Sequence, residues 1–398
     1  MPNTPQLLAE FTDRIRAATA ARTPLRIRGG GSKDFYGQSL QGEILDTRTL
    51  SGISSYEPSE LVVTVQAGTP LAELEAALAE QGQCLPFEPP HYQLPSPMGR
   101  GAGGGGQAYS DTTSGSVATV GGMVAAGLAG PARAAAGSVR DYVLGLGLIN
   151  GKAEQLHFGG TVMKNVAGYD VGRVLAGSLG TLGLITEVSL KVLPFAPAEA
   201  TLRFAVDEAT ALHKLNAWGG QPLPLNACSW VLDAGQPTLY LRLRGALAAV
   251  DAACKKLLLE VPGKRVDSAQ TTTDWAAARD LRLPWFANGF ARGQDLWRLS
   301  VPQAAAPLNV GNTMIDWLGA QRWVWADAGD AAAAHRLRAA AQAANGHATL
   351  FVAAHAHSVR SAAVFTPQNA VLMRIQQQLK AEFDPAGIFG PGRMFAPH

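Results

Sequence analysis

Ile27-Arg28-Gly29-Gly30-Gly31-Ser32-Lys33 and Gly177-Ser178-Leu179-Gly180-Thr181-Leu182-Gly183 are the two stretches that decide the fold. The first follows the predicted strand Leu25 to Arg28, and the second leads directly into an apolar, β-branched run, Leu184 to Leu190. Because glycine has no side chain, such loops let a ligand approach the backbone N–H groups closely. Each loop alone is equally compatible with a tight turn that binds nothing.

The segment between the two glycine runs carries further strand and helix signals. Leu61 to Val65 is β-branched and predicts a buried strand. A helix is predicted after it, with Thr69 as N-cap, Pro70 at the first helical position and Gly82 at the end. Alternation of strands and helices over this part of the chain predicts an α+β unit.

The character of the sequence changes after Pro197, which predicts a domain boundary. Beyond it, strand-like runs such as Thr238 to Leu243 alternate with helical stretches such as Ala246 to Glu260. This pattern predicts a separate domain with an antiparallel sheet and helices on one face. A last helix is predicted over Gln368 to Phe383.

Composition excludes several classes of protein. The net charge is +2 and no block of Lys and Arg stands out, so nucleic acid is not an expected partner. The three cysteines are far apart and predict neither a disulfide framework nor a metal site, which favours a reducing cytoplasm. Glu10 and Asp13 interrupt the apolar pattern of the N-terminus, which predicts an amphipathic helix rather than a signal peptide.

A loop rich in Pro, Gly and Ser is predicted over Gln93 to Gly115. It contains a GxGxxG match at Gly99, Gly101 and Gly104. No strand precedes the match and no apolar helix follows it, so a dinucleotide-binding Rossmann turn is not predicted there. The loop is either a cover over a ligand or disordered.

Four segments taken together resemble the FAD-binding family typified by vanillyl-alcohol oxidase and p-cresol methylhydroxylase. They are Arg28 to Ser32, Val63 to Gly68, Ala118 to Gly122 and Gly177 to Glu187. A closer resemblance, to the FAD-binding subunits of glycolate oxidase (the GlcE family), is carried by Leu85 to His91, Gly130 to Arg133, Gly137 to Gly145 and Met163 to Val171.

The resemblance implies an α+β fold with a PCMH-type FAD-binding domain over residues 1–197. Its two subdomains would cover about 4–83 and 84–197, with the cofactor between them. A smaller cap domain with an antiparallel sheet and helices would span 198–367. Residues 368–398 would form a helix and tail that return to the FAD-binding domain.

FAD is the implied cofactor, and its pyrophosphate suits a loop of backbone N–H donors. The expected cofactor contacts are Arg28, Gly29, Gly30, Gly31, Ser32, Lys33, Pro89, Thr119, Val120, Gly121, Gly122, Arg133, Gly137, Arg140, Gly180, Thr181, Gly183, Ile185 and Arg393. A noncovalent flavin is expected, because the first glycine loop has no histidine; His91 is the remaining candidate for a covalent link.

Candidates for catalysis are weaker. Arg133 and Arg140 suit a carboxylate or the pyrophosphate, and a structural ion pair explains them equally well. His355 and His357 would share one face of a strand, but no acidic ligand lies near them in the sequence, so no metal site is predicted. We therefore expect an FAD-binding subunit that serves mainly in electron transfer or as a structural component.

The resemblance also implies partners: the catalytic flavoprotein subunit of glycolate oxidase, an iron–sulfur subunit and a small 2-hydroxy acid substrate. The expected location is cytoplasmic, with membrane contact through those partners. Two alternatives remain open from the sequence. One is a stand-alone FAD-dependent oxidase of another alcohol or hydroxy acid, and the other is a scaffold that has lost its cofactor.

Overall fold

A computed structural model describes residues 3–94, 117–161, 170–354 and 363–394. The helices of these residues are α1 (Thr4–Ala21), α2 (Leu71–Glu80), α3 (Val120–Ala126), α4 (Arg133–Ala136), α5 (Gly172–Leu175), α6 (Glu208–Gly219), α7 (Leu247–Glu260), α8 (Ser268–Arg279), α9 (Pro284–Ala291), α10 (Ala331–Ala343) and α11 (Ala370–Phe383). Short 3₁₀ helices lie at Pro58–Glu60, Val139–Asp141 and Trp317–Gly319.

The strands of the described residues form four sheets. They are β1 (Leu25–Arg28), β2 (Glu43–Asp46), β3 (Ile53–Glu57), β4 (Val62–Gln66), β5 (Gln83–Cys84), β6 (Val143–Ile149), β7 (Gln155–Gly159), β8 (Leu184–Lys191), β9 (Leu193–Pro194), β10 (Ala198–Phe204), β11 (Leu225–Asp233), β12 (Gln236–Gly245), β13 (Gly263–Arg265), β14 (Asp295–Ser300), β15 (Thr313–Asp316), β16 (Gln321–Ala326) and β17 (His347–Val352).

A five-stranded antiparallel sheet in the order β3-β4-β8-β6-β7 is the centre of the N-terminal half. Every residue of β4 is buried, as its continuous β-branched run predicts for a strand covered on both faces. The apolar stripe of α2 packs in the core of this sheet through Leu71, Leu74 and Leu78. The second glycine run ends at β8, so this sheet positions that run.

A parallel pair, β1 and β2, carries the first glycine loop at the end of β1. The C-terminal tail lies against this pair. The Leu25 N–H donates to the Ile388 carbonyl (2.7 Å), and the Gly390 N–H donates to the Leu25 carbonyl (2.9 Å). The beginning and the end of the described chain therefore meet at the first glycine loop.

An eight-stranded antiparallel sheet is built entirely from strands after residue 197, in the order β13-β10-β12-β11-β15-β16-β14-β17. Helices α6 and α7 cover one face of its first half. On the opposite face, Trp323 and Phe351 pack with Tyr36 and Tyr92 of the N-terminal half. The sheet thus closes over the region of the first glycine loop. The predicted α+β class is confirmed.

Candidate cofactor site

The first glycine loop lies against the segment that leads into α3. A Cβ atom at Gly29 would overlap with Thr119 Oγ1, and one at Gly30 would overlap with the Val117 carbonyl. The Val117 N–H donates to the Gly30 carbonyl (3.2 Å), which holds the two segments together. Glycine is therefore required at these positions by the close approach of two backbones.

Within the part of the chain that the structure describes, the backbone N–H groups of Gly29, Gly30 and Gly31 donate no hydrogen bond to the protein. Gly29, Gly30 and Gly31 are partly exposed, so these three successive N–H groups are available to a ligand that accepts hydrogen bonds. Consecutive backbone N–H groups in such a loop favour an anion. This donor set fits the pyrophosphate of FAD.

A cleft opens beside this loop, which we call the cofactor cleft. The described residues that line it are Arg26, Ile27, Arg28, Gly29, Gly30, Gly31, Ser32, Lys33, Asp34, Ser39, Leu40, Gln41, Val117, Thr119, Gly122, Ala125, Ala126, Leu179, Gly180, Gly390 and Arg393. It brings together the two glycine runs, the start of α3 and the C-terminal tail, as the sequence predicts for a site between them.

Helix α3 forms the wall opposite the first glycine loop. The Thr119 hydroxyl caps this helix by accepting the Gly122 N–H (3.3 Å). Val120 and Gly121 face away from the cleft: the Val120 N–H donates to the Thr69 carbonyl (3.0 Å) and the Gly121 N–H to the Ala67 carbonyl (2.7 Å). Thr119 and Gly122 are thus the members of this motif that line the cleft.

The second glycine run supplies the third wall through Leu179 and Gly180. Both have positive φ, 53° and 73°, and the Leu179 N–H donates to the Ala125 carbonyl (2.8 Å). Thr181 lies behind this wall, where its hydroxyl donates to the Ser178 carbonyl (2.7 Å). Gly183 and Ile185 lie farther back, at the start of β8 and inside the sheet core.

Arg393 lines the cleft and holds its loop. Its guanidinium donates to the main-chain carbonyls of Lys33 (3.3 Å), Asp34 (3.4 Å) and Ser39 (3.4 Å). Arg28 points along the loop and pairs with the Asp34 carboxylate (2.8 Å). In the described structure these two arginines therefore position the loop that presents the N–H groups.

Lys33 supplies a cation at the cleft. Its ammonium donates to the Ser32 hydroxyl (3.3 Å). Burial lowers the pKa of Lys33 to about 8, against the attraction of Asp280, which raises it. A partly desolvated ammonium of this kind is stabilised by a bound anion.

Four other expected contacts lie outside the described lining of the cleft. Pro89 is buried, and Arg140 is exposed on a 3₁₀ helix. Arg133 lies over the ring of Trp317, with its guanidinium carbon 4.8 Å from the ring centroid. Gly137 has φ of 87° and precedes the capping box of that 3₁₀ helix.

His91, the candidate for a covalent flavin link, pairs with Glu75 through Nε2 at 2.7 Å and does not line the described cleft. His355 and His357 lie outside the described residues, as do the GxGxxG match and most of the Gln93 to Gly115 loop. Over the described ranges, no group of three or more His, Cys, Asp or Glu side chains is placed to hold a metal ion. None of the described helices is long and apolar enough to cross a membrane.

Residues 4–110 match the model of a protein family described as FAD binding domain. Over 387 residues the chain is 41% identical to glycolate oxidase subunit GlcE of Escherichia coli strain K12, covering 96% of both chains. The chain belongs to the GlcE family. FAD is therefore its cofactor, and the resemblance read from the sequence is confirmed.

The family has wider relatives among FAD-linked oxidoreductases. Glycolate oxidase subunit GlcD of Bacillus subtilis strain 168 is 28% identical over 50% of this GlcE-family chain and 38% of its own length. D-2-hydroxyglutarate dehydrogenase of Xanthomonas citri is 25% identical over 74% of this chain and 59% of its own length. As a member of this family, the chain is an FAD-dependent oxidoreductase.

The fold has counterparts among solved structures. Two crystal forms of alkyldihydroxyacetonephosphate synthase superpose on this GlcE-family chain with TM-scores of 0.64 and 0.63, at 14% and 13% identity, over 96% of this chain and 74% of theirs. At such identity the likeness shows the fold alone.

Two contacts were missed from the sequence, one at the cofactor cleft and one outside its described lining. Asp34 binds Arg28 (2.8 Å) and Arg26 (2.5 Å). The signal for this was present, since residues two apart on a strand share a face. The second is Glu88, which binds Arg242 at 2.7 Å across 154 residues of chain, and no local pattern indicates such a contact.

Proposed function

We propose that this chain is the FAD-binding subunit of a glycolate oxidase complex and supports the oxidation of glycolate to glyoxylate. The observation that carries the proposal is the row of unpaired N–H groups at Gly29 to Gly31, facing a cleft in a member of the GlcE family. When bound, FAD supplies an acceptor for the two electrons that leave the substrate carbon. The residues of the cofactor cleft bind and orient it.

We propose further that this subunit transfers electrons or supports the complex and is not itself the site of glycolate oxidation. Oxidising a hydroxy acid requires a base for the hydroxyl proton. Among the described residues that line the cleft, Asp34 is the only carboxylate, and it is held by two arginines, while no histidine is present. The Asp34 carboxylate instead accepts hydrogen bonds from the guanidinium groups of Arg26 and Arg28.

The experiment compares the isolated chain with the reconstituted complex. The purified, FAD-loaded chain is assayed for glycolate-dependent reduction of a dye, alone and together with the GlcD-type subunit and an iron–sulfur subunit. We expect a flavin absorption spectrum from the chain alone and turnover only in the mixture. Robust turnover by the chain alone would favour the stand-alone oxidase, and a colourless chain that takes up no FAD would favour the scaffold.

We propose that the partners are a catalytic flavoprotein subunit and an iron–sulfur subunit, and that any membrane contact is made through them. The support is the family assignment together with the wider likeness to GlcD. Copurification of a tagged chain should recover an iron–sulfur protein. Recovery of the chain in active form without any other protein would contradict this arrangement.

We propose that the flavin is bound noncovalently. The support is the absence of a histidine in the first glycine loop and the pairing of His91 with Glu75. Acid precipitation of the loaded protein should release the flavin into the supernatant. Yellow colour that stays with the denatured pellet would show a covalent link.

A further inference from the structure

An arginine-lined cavity of about 310 Å³ lies between strands β10 and β12, helix α8 and the Glu88 loop. Arg242, Arg244, Arg265 and Arg279 contribute four guanidinium groups to its wall, and we call it the arginine cavity. None of the residues that line it also lines the cofactor cleft. The cavity is therefore a separate feature of the molecule.

The pairing of these arginines leaves donors unused. Arg244 is fully engaged, with its Nε and Nη2 on Glu199 and its Nη1 on Glu88 (3.1 Å). Arg242 donates through Nε to Asn226 (2.7 Å) and through Nη2 to Glu88 (2.7 Å). Within the described structure, Nη1 of Arg242 donates no hydrogen bond.

The other two arginines are also incompletely engaged. Arg279 pairs with Asp280 through Nε (2.9 Å) and Nη2 (2.8 Å), and over the described ranges its Nη1 has no hydrogen-bond acceptor. Arg265 lies 3.6 Å from Asp251, and about half of its side chain is exposed. Three of the four guanidinium groups thus retain donors for a ligand.

The lining of the cavity carries four guanidinium groups and two carboxylates, those of Glu88 and Glu199. The carboxylates that pair with Arg279 and Arg265, those of Asp280 and Asp251, lie outside this lining. Arg242 is almost fully buried, and burial is the largest influence that lowers its pKa. A buried cation is stabilised by an anion that brings additional hydrogen bonds.

Glu88 shows that the cavity is built at some conformational cost. Its φ is 50°, in the left-handed region that a residue with a side chain rarely adopts. Its carboxylate nevertheless accepts both Nη2 contacts from Arg242, and the Ala132 N–H (3.1 Å). Strain of this kind persists where surrounding contacts determine the conformation, and it concentrates at ligand sites.

One wall of the cavity is aromatic. The Trp275 indole lies under Arg242, with 4.9 Å from the guanidinium carbon to the ring centroid. Its Nε1 donates to the Thr201 hydroxyl (2.9 Å), which fixes the ring orientation. Guanidinium donors beside an apolar surface suit a ligand with a carboxylate and a short carbon chain, whereas inorganic phosphate would leave the indole unused.

We propose that the arginine cavity binds a small organic carboxylate. Arg242 and Arg279 donate to the carboxylate from the floor of the cavity, Arg265 closes the mouth, and Trp275 contacts the carbon chain. The volume is at the lower end of the range for ligand sites and admits a small acid but not a nucleotide cofactor. The site goes beyond the proposed function, since it neither uses nor touches the cofactor cleft.

Isothermal titration calorimetry on the FAD-loaded protein tests this site, with glycolate, succinate and inorganic phosphate as separate probes. We expect saturable binding of at least one carboxylate and a Kd at least tenfold weaker in Arg265→Gln. Arg282→Gln is the matched control. Like Arg265, Arg282 is a half-exposed arginine close to an aspartate, here Asp280, but it does not line the cavity. Its Kd should equal that of the wild type.

Flavin absorbance and melting temperature, measured on each variant, separate this proposal from the proposed function, because both should be unchanged in Arg265→Gln. Three results would overturn the carboxylate site. They are no binding of either acid to the wild type, an unchanged Kd in Arg265→Gln, or tighter binding of phosphate than of both acids.

Discussion

The guanidinium of Arg393 donates a hydrogen bond to the main-chain carbonyl of Lys33, 360 positions earlier in the chain. The C-terminal tail therefore holds the loop that presents the Gly29 to Gly31 N–H groups. A Cβ atom at Gly37 would lie 2.9 Å from Nε of the same guanidinium, so the tail packs closely on the loop. The geometry of this loop is thus held by a residue at the far end of the described chain.

Arg393→Ala should weaken FAD binding about tenfold, since it removes several long hydrogen bonds that together contribute about 1.4 kcal/mol. Arg393→Lys should retain part of the affinity, because an ammonium reaches fewer of the carbonyls. The Kd is measured by flavin fluorescence quenching. An unchanged Kd in Arg393→Ala would show that the loop keeps its shape without the tail.

Gly30→Ala should abolish or severely reduce FAD binding, because the new methyl group overlaps with the Val117 carbonyl and separates the loop from α3. Gly219→Ala at the end of α6 is the control, since nothing lies within 4 Å of a Cβ there. The flavin-to-protein ratio after purification reports the outcome. Equal flavin-to-protein ratios in the two variants would show that FAD binding does not depend on the close approach of Gly30 to Val117.

FAD affinity should be constant below pH 8 and fall above it, by at most tenfold per pH unit. The pKa of Lys33 is about 8 in the free protein, and a bound pyrophosphate raises it, so binding takes up a proton as the pH rises through 8. Lys33→Met should bind more weakly at pH 7 and lose this pH dependence. Lys264→Met, at an exposed strand residue, should keep it.

The check is a series of FAD titrations from pH 7 to 9.5 on the three proteins. The same decline above pH 8 in Lys33→Met would assign the proton to another group. A flat wild-type profile would show that the Lys33 ammonium does not interact with the cofactor.

Glu88→Gln should destabilise the protein at pH 7 by about 3 kcal/mol, because Arg242 would remain buried beside a neutral partner. Although burial alone would raise the pKa of Glu88, Arg242 and Arg244 hold it below the ordinary value of 4.5. Its stabilising contribution is therefore fully present above about pH 4.5 and is lost as the pH falls through the lower, folded-state pKa.

Melting temperatures of wild type, Glu88→Gln and Glu57→Gln between pH 3 and 7 measure this effect. The gap between wild type and Glu88→Gln should narrow as the pH falls, while Glu57→Gln, at an exposed position of β3, should follow the wild type. A difference in melting temperature that is independent of pH would show that the loss of a hydrogen-bond acceptor, rather than the loss of charge, destabilises Glu88→Gln.

Elements set by local pattern were predicted closely from the sequence. Leu25 to Arg28 is the strand that was expected, and the helix expected over Ala246 to Glu260 is observed at Leu247–Glu260. Both follow from periodicity and from the residues that flank them. The boundaries of the two domains and the contacts of the named residues with FAD stay predictions.

The start of α2 was predicted wrongly. Thr69 was expected to cap it, but the helix begins at Leu71, and the Thr69 hydroxyl instead accepts the Gly52 N–H (2.9 Å). The Leu71 N–H is satisfied by the Ala118 carbonyl (2.8 Å), a main-chain group from the segment before α3. A tertiary contact thus replaces the local cap, and local sequence carries no sign of it.

Contacts between distant segments could not be predicted from the sequence. Glu88 meets Arg242, and Arg393 meets Lys33, only because the folded sheets bring their loops together. Such pairs have no periodicity or spacing by which to recognise them. Ten of the contacts expected from the family resemblance line the described cleft and nine do not, whereas the arginine cavity follows from the structure alone.

A crystal structure of the FAD-loaded protein would show directly where the pyrophosphate is bound. We predict that the pyrophosphate oxygens lie within hydrogen-bond distance of the N–H groups of Gly29, Gly30 and Gly31, with Lys33 beside them. A pyrophosphate held elsewhere, with these three N–H groups facing only solvent, would show that the first glycine loop does not bind the cofactor.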